Sequence, residues 1–253
     1  MRRLLAFWLL AALCDRACAE GLDILAEHHA WGRFPVGAWS RLRETQFKTA
    51  ADGSEQPTRV AVITRRLEEV YEDGVTLLTD EAVDGRPAEA KTERIGWDGL
   101  PADRERQLRL SVGEIKIDGR TVVCQTHELT STADGVKTID KWWYSPDQSP
   151  YLLKRVLRSA SGPAHFLSLE TMALAVEKDV LGKPLVCVET KTIETFTDRA
   201  SQTTAISSIS IPGGLVSASA QLRDKQKGTV AGTRVELLEF AYRVIRQVLV
   251  DLR

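Results

Sequence analysis

Histidine is the first side chain to ask for chemistry, and the chain has four: His28, His29, His127 and His165. A metal site needs three or four converging ligands, and no His-x-His, His-Glu-x-x-His or Cys-x-x-Cys spacing is present. His28 and His29 are adjacent, so on a helix they would point about 100° apart. They read as solvated or capping residues, and neither a metal nor a cofactor is expected. Cys124 could act as a nucleophile only with a base beside it. His127 lies three residues on, which on a strand puts the two on opposite faces; a pairing of Cys124 with His165 stays open. There is no Gly-x-Ser-x-Gly elbow, and Ser145, just before Pro146, reads as turn chemistry. The carboxylate pairs Glu68-Glu69, Glu72-Asp73 and Asp80-Glu81 lie in charged stretches and read as solvated faces rather than as a pair flanking a sugar. Pro212-Gly213-Gly214 falls between strand-like runs, so it is no phosphate loop ahead of a helix. No catalytic residue is expected, and the chain reads as a non-enzyme. A secreted hydrolase centred on His127 or His165 is the enzymatic alternative.

The aromatic residues offer more. Trp142-Trp143-Tyr144 closes a strand-like run, and Trp31, Phe34 and Trp39 stand together among Gly and Pro nearer the start. On a strand Trp142 and Tyr144 share one face and Trp143 takes the other. One face must be core, so at most part of the cluster can meet a ligand. Trp142, Trp143, Tyr144, Trp31 and Trp39 are the candidate ligand-binding residues, and the ligand class they suit is hydrophobic.

The elements that must position them are strands. Asp-Gly dipeptides at 52-53, 73-74, 84-85, 98-99, 118-119 and 134-135 mark tight hairpins, because both central residues tolerate positive φ. A first strand-like run, Trp39 to Thr49, precedes them, and the runs they mark off are Arg59 to Val70, Val75 to Val83, Glu89 to Ile95, Glu114 to Ile117, Thr121 to Leu129 and Val136 to Tyr144. Residues 166–181 fit a strand by period 2, and 214–222 and 230–240 give two more. Residues 22–31 predict a short helix. Residues 237–252 have helical spacing and would close the chain with a helix, one long final strand being the alternative.

A repeat underlies this pattern. Shifted by 63 residues without a gap, Gly119 to Arg158 meets identical residues at six of forty positions: Gly119, Val123, Cys124, Thr132, Ser145 and Leu152. They cluster at strand starts and turns, where a structural repeat should agree. The expected division is 1–19 as a signal peptide, 20–112 as an N-terminal β part, 113–180 as one β repeat, and 181–253 as a second repeat with a C-terminal segment.

The opening MRRLLAFWLLAALCDRACAE has a basic start, a ten-residue apolar run and Ala17-Cys18-Ala19 before Glu20. That is the pattern of a signal peptide cleaved between Ala19 and Glu20. The residues before Cys14 and Cys18 fit lipoprotein processing poorly. Cleavage removes Arg2, Arg3, Arg16 and Asp15 and takes the net charge from −1 to about −3. No basic block of the nucleic-acid type and no second long apolar run follows. The expected location is therefore secreted or periplasmic, without a transmembrane anchor in the mature chain. Cys124 and Cys187 fall at equivalent repeat positions. An exported compartment permits a disulfide, which forms if the repeats pack face to face. Side by side they may lie beyond the roughly 7 Å limit and stay buried thiols.

Three spacings together carry a resemblance: Trp31, Phe34, Gly37 and Trp39; then Gly113, Glu114, Gly119 and Cys124; then Trp143, Ser145 and Pro150. The pattern resembles a group of uncharacterised secreted bacterial β-rich proteins, themselves distantly similar to LolA-like envelope lipoprotein carriers. The resemblance implies a curved antiparallel sheet, an incomplete barrel with its concave side plugged, and by analogy a carrier role. The combined expectation is a mainly β, exported, non-enzymatic protein that binds a hydrophobic ligand or an envelope component on the concave face. A structural or protein-interaction module without a small ligand is the alternative.

Overall fold

The computed structural model describes residues 24–50, 52–97, 107–133, 135–162, 164–224 and 228–242. The signal-peptide and cleavage positions, Asp98-Gly99 and residues 243–252 lie outside them. Fourteen strands follow in chain order: β1 (Trp39–Thr49), β2 (Glu55–Val70), β3 (Gly74–Val83), β4 (Arg86–Pro87), β5 (Lys91–Gly96), β6 (Gln107–Ile117), β7 (Arg120–Ala133), β8 (Val136–Tyr144), β9 (Leu152–Ser159), β10 (His165–Val180), β11 (Lys183–Phe196), β12 (Arg199–Ser207), β13 (Leu215–Asp224) and β14 (Gly228–Ala241).

They form one antiparallel sheet in the order β4-β3-β2-β1-β14-β13-β12-β11-β10-β9-β8-β7-β6, with β5 also paired to β3. The order does not return on itself, so the sheet is not a closed barrel. Along that path every neighbour pair but one is a sequential hairpin or meander step. The exception is β1 with β14, where Trp39 meets Ala241 and Phe47 meets Gly232.

Glycine chemistry sets the hairpins. Asp84-Gly85 and Asp118-Gly119 both take positive φ, 49° and 78° in the first and 50° and 74° in the second, which matches the twist of two-residue hairpins. Leu181-Gly182 does the same at 54° and 78°, although leucine is a poor residue for it.

Residues 63 apart play matching parts. Ile117, Cys124, Leu153 and, beside them, Trp143 and Leu174 form one core. Val180, Cys187, Leu237 and, beside them, Ile206 and Val216 form another. The loop after β8 closes with Ser145 N–H to Tyr151 O and Tyr151 N–H to Gln148 O, both 2.8 Å. The loop after β12 closes with Ser208 N–H to Gly214 O at 2.7 Å and Gly214 N–H to Ile211 O at 2.8 Å.

At one end the sheet curls. Asp118, at the tip of the β6–β7 hairpin, accepts the Leu174 N–H of β10 at 3.3 Å, and Leu174 packs into the core with Ile117 and Cys124. Outside the cores, cross-strand ion pairs such as Lys154–Glu170 at 2.6 Å and Arg59–Glu44 at 3.2 Å line the wet faces. Such pairs contribute little each.

Three expectations need correction. Over residues 22–31 the described part contains a single 3-10 turn, Ala26–His28, not a longer helix. Leu25 at its N-cap makes no side-chain cap bond, an isolated helix this short is marginal, and the aromatic residues that follow are drawn onto the sheet. At the other end β14 continues as strand to Ala241, so 237–241 is not helical; its pairing to β1 and β13 overrides the helical spacing. Finally, Cys124 and Cys187 are not bonded; both are free, buried thiols. The two cysteine strands, β7 and β11, lie in one sheet with β8, β9 and β10 between them.

Candidate functional site

Three segments far apart in sequence meet around the N-terminal stretch 24–38. Ile24 is buried with Leu129, Trp142 and Tyr144, and Leu108, Tyr151 and Leu152 pack beside them. Further along, Trp31, Phe34 and Ala38 are buried with Leu67, Val75 and Leu77 of β2 and β3. Trp97, just after β5, packs against both groups and donates its indole N–H to Glu72 O at 2.7 Å. Trp31 also lies against the loop after β12. A Cβ on Gly213 would stand 2.7 Å from its ring, and Gly213 has φ 79°, so only glycine fits. The Gly213 N–H bonds Ala30 O at 3.1 Å and ties the two segments.

Three of the four histidines are set within this seam. His28 hydrogen-bonds the Tyr144 hydroxyl through Nδ1 and stacks on Tyr151 with ring centroids 3.9 Å apart. The Arg33 guanidinium lies 5.3 Å from the Tyr151 ring centroid. His29 tilts against Trp97 at 5.4 Å. His127 lies across from Trp142 in the β7–β8 register and 5.7 Å from the Tyr144 ring. Both ring nitrogens of His127 and the Trp142 indole nitrogen are buried without a hydrogen-bond partner among the described residues. Burial holds His28, His29 and His127 below the usual imidazole range. His29 falls to about 4, where the Arg33 charge adds to the burial. Beside Trp142, Arg155 clasps Asp140 with Nε–Oδ1 at 3.0 Å and Nη2–Oδ2 at 2.7 Å, and its guanidinium lies 4.8 Å from the Trp142 ring centroid.

The five aromatic candidates therefore do not form one surface. Trp142 and Tyr144 come together, 2% and 3% exposed, beneath Ile24 and His28. Trp31 is buried in the neighbouring core. Trp143 faces the other side of β8, half-buried against the Cys124 core, with Lys141 and Lys154 amines 5.2 and 5.5 Å from its ring centroid. Trp39 stands apart at the start of β1, with Arg41 at 5.5 Å.

Sequence reasoning missed the roles of His28, His29, Trp97 and Tyr151, because the rings they meet lie far away in the chain, as far as Tyr151 is from His28. The signal that existed was the density of aromatic and imidazole rings between His28 and Trp39.

The nucleophile pairings do not assemble. Thr126 pairs with Trp143 and His127 with Trp142, so Cys124 and His127 occupy opposite faces, and burial raises the Cys124 thiol above its usual range. His165 lies nine residues before Leu174 on β10, on the order of 30 Å along the strand from the Cys124 core. There it pairs with Glu194 at 2.9 Å and stacks on Phe196 at 4.7 Å. An open groove of about 410 Å³ runs beside it, and a second of about 250 Å³ lies along β12, β13 and β14. Among the described residues no group of three His, Cys, Asp or Glu side chains could hold a metal ion. Among them, too, no helix is long and apolar enough to cross a membrane.

No protein-family model matches the chain, and no curated protein matches it. Among solved structures, a Bacteroides fragilis protein described as exported, with a YmcC-like fold, is similar at 10% sequence identity. The match covers 81% of this chain and 98% of that one, with a TM-score of 0.31. At that score nothing about fold or function is drawn from the likeness.

Proposed function

We propose that this protein is an exported, non-enzymatic protein-interaction module that acts without a small ligand. The observation that supports this best is self-occupancy. Ile24 and His28 cover Trp142 and Tyr144, and Trp31 and Phe34 are themselves buried. The apolar surface that a cargo would need is thus filled by the chain's own residues. The basic start, apolar run and Ala17-Cys18-Ala19 of residues 1–19 support export.

A second reading keeps the hydrophobic cargo of the LolA-like resemblance. Residues 24–38 would then be a displaceable cover. The unpartnered nitrogens of His127 and Trp142 beneath it favour this reading, since buried polar groups without partners are rare.

Native mass spectrometry of protein purified gently from its own envelope or medium separates the two. A chain cleaved after Ala19, with no co-purifying small molecule and with a protein partner captured by crosslinking, is the expected result. A lipid-sized mass that leaves on activation would overturn the interaction reading in favour of the cargo reading.

A further inference from the structure

We propose that the outer edge of β6, which no strand among the described residues covers, is a self-pairing surface, joining two copies of this chain by antiparallel β6–β6 hydrogen bonding. This rests on the interaction-module reading and names its partner.

The backbone supplies the first step. The two-residue turn at Asp118-Gly119 makes Ile117 and Arg120 a pair that exchanges both hydrogen bonds. The β6–β7 register runs without a bulge from there to Gln107. Odd-numbered residues of β6 therefore turn their N–H and C=O groups toward β7. The even-numbered ones, Leu108, Leu110, Val112, Glu114 and Lys116, turn theirs to the outer edge.

Side chains supply the second step. Leu110 is 63% exposed and Val112 77% exposed, and Val123 of β7, diagonal to Val112, is 60% exposed. All three lie on one face of the ribbon and form an apolar patch at the rim. The repeat does not demand this bulk: 63 residues on, strand β10 has Ala173 and Ala175 where β6 has Leu110 and Val112. Natural sheets blunt their edges with short strands, proline and charge. The opposite edge follows that rule: β4 has two residues and includes Pro87, and β5 carries Lys91, Glu93 and Arg94, all exposed. Edge β6 has eleven residues, no proline and an apolar centre.

The third step is complementarity. A two-fold axis normal to the sheet at Ser111 pairs edge-facing residues only with each other. It sets Leu110 of each copy opposite Val112 of the other. Leu108 meets Glu114 and Arg109 meets Gly113, so no like charges oppose within residues 107–115. The small net charge, about −3 after cleavage at Ala19, leaves little repulsion between copies. With one edge blunted, the contact closes as a dimer rather than propagating as a fibre.

The test uses the full chain as purified. Sedimentation velocity across a hundredfold concentration range should show a dimer that Val112→Lys and Leu110→Lys each convert to monomer, with unchanged circular dichroism. Ser111→Cys should oxidise to a disulfide-linked dimer in high yield, because residues on the axis face each other. A wild-type monomer at every concentration, or dimers untouched by both lysine variants, would overturn self-pairing. If the monomer instead crosslinks to a different protein and Val112→Lys abolishes that link, self-pairing fails while the interaction-module reading stands. If the monomer binds no protein and carries a small molecule, the reading itself fails.

Discussion

Tyr151 holds a left-handed backbone, φ 69°, at the position where the next unit has Gly214 at φ 77°. A bulky residue there costs on the order of 1 kcal/mol or more, and what the chain gains is the ring on which His28 stacks. The histidines make this seam sensitive to acid. An unfolded histidine titrates near 6.5, whereas burial keeps His28, His29 and His127 neutral below that, His29 down to about 4. Between about 6.5 and 4 the unfolded chain binds protons that the fold refuses, so stability is full above that window and falls as pH drops through it. Glu27 and Asp147 oppose the effect at His28, while Arg33 reinforces it at both His28 and His29. Amides of residues 24–38 should exchange faster at pH 5 than at pH 7 relative to the rest of the sheet, after correction for intrinsic rates. His29→Asn should flatten that difference, and an undiminished pH dependence in the variant would place the titration elsewhere. None of this was legible in the sequence. His28 and His29 read as solvated because adjacency says nothing about which distant rings will enclose them.

At the scale of the element, the sequence was most informative where turn chemistry is local. Asp84-Gly85 and Asp118-Gly119 announced their hairpins, and β8 begins and ends at the residues expected from its alternation. Period 2 made 166–181 a strand, and the structure has it at His165–Val180. The N-terminal turn and the end of β14 were misread for one reason: helical spacing is also what a segment shows when its apolar residues answer to neighbours on two sides. Strand alternation also predicts different fates for adjacent tryptophans. Trp142, 2% exposed between Ile24 and Arg155, should cost about 3–5 kcal/mol on change to Ala. Trp143, flanked by lysines and half-buried, should cost about 1–2 kcal/mol. Urea denaturation of the two variants checks this, and equal losses would mean that both faces of β8 are equally dry.

For the whole molecule, residues 24–38 act as a tie. They touch β2 and β3, the β7–β8 ribbon and the loop after β12. Trp31→Ala should cost about 3 kcal/mol. It should also raise binding of an apolar dye, because Leu67, Val75 and Leu77 lose their cover. Stability lost without dye binding would show that the sheet collapses over the gap. The tie was only half legible: Trp31 and Phe34 stood out as an aromatic group among Gly and Pro, but the surfaces they close come from elements that nothing local connects.

The pairing of β1 with β14 has a temporal consequence. Strand β1 begins at Trp39, yet one of its two edges is satisfied only by residues 232–241. A chain emerging from the ribosome holds that edge open until residues 232–241 have appeared, and contacts across such separations form slowly. The β1 side of the sheet must therefore wait for β14. Under the export proposed above, that delay keeps the chain slack enough to pass through a translocon, and its architecture locks only on arrival.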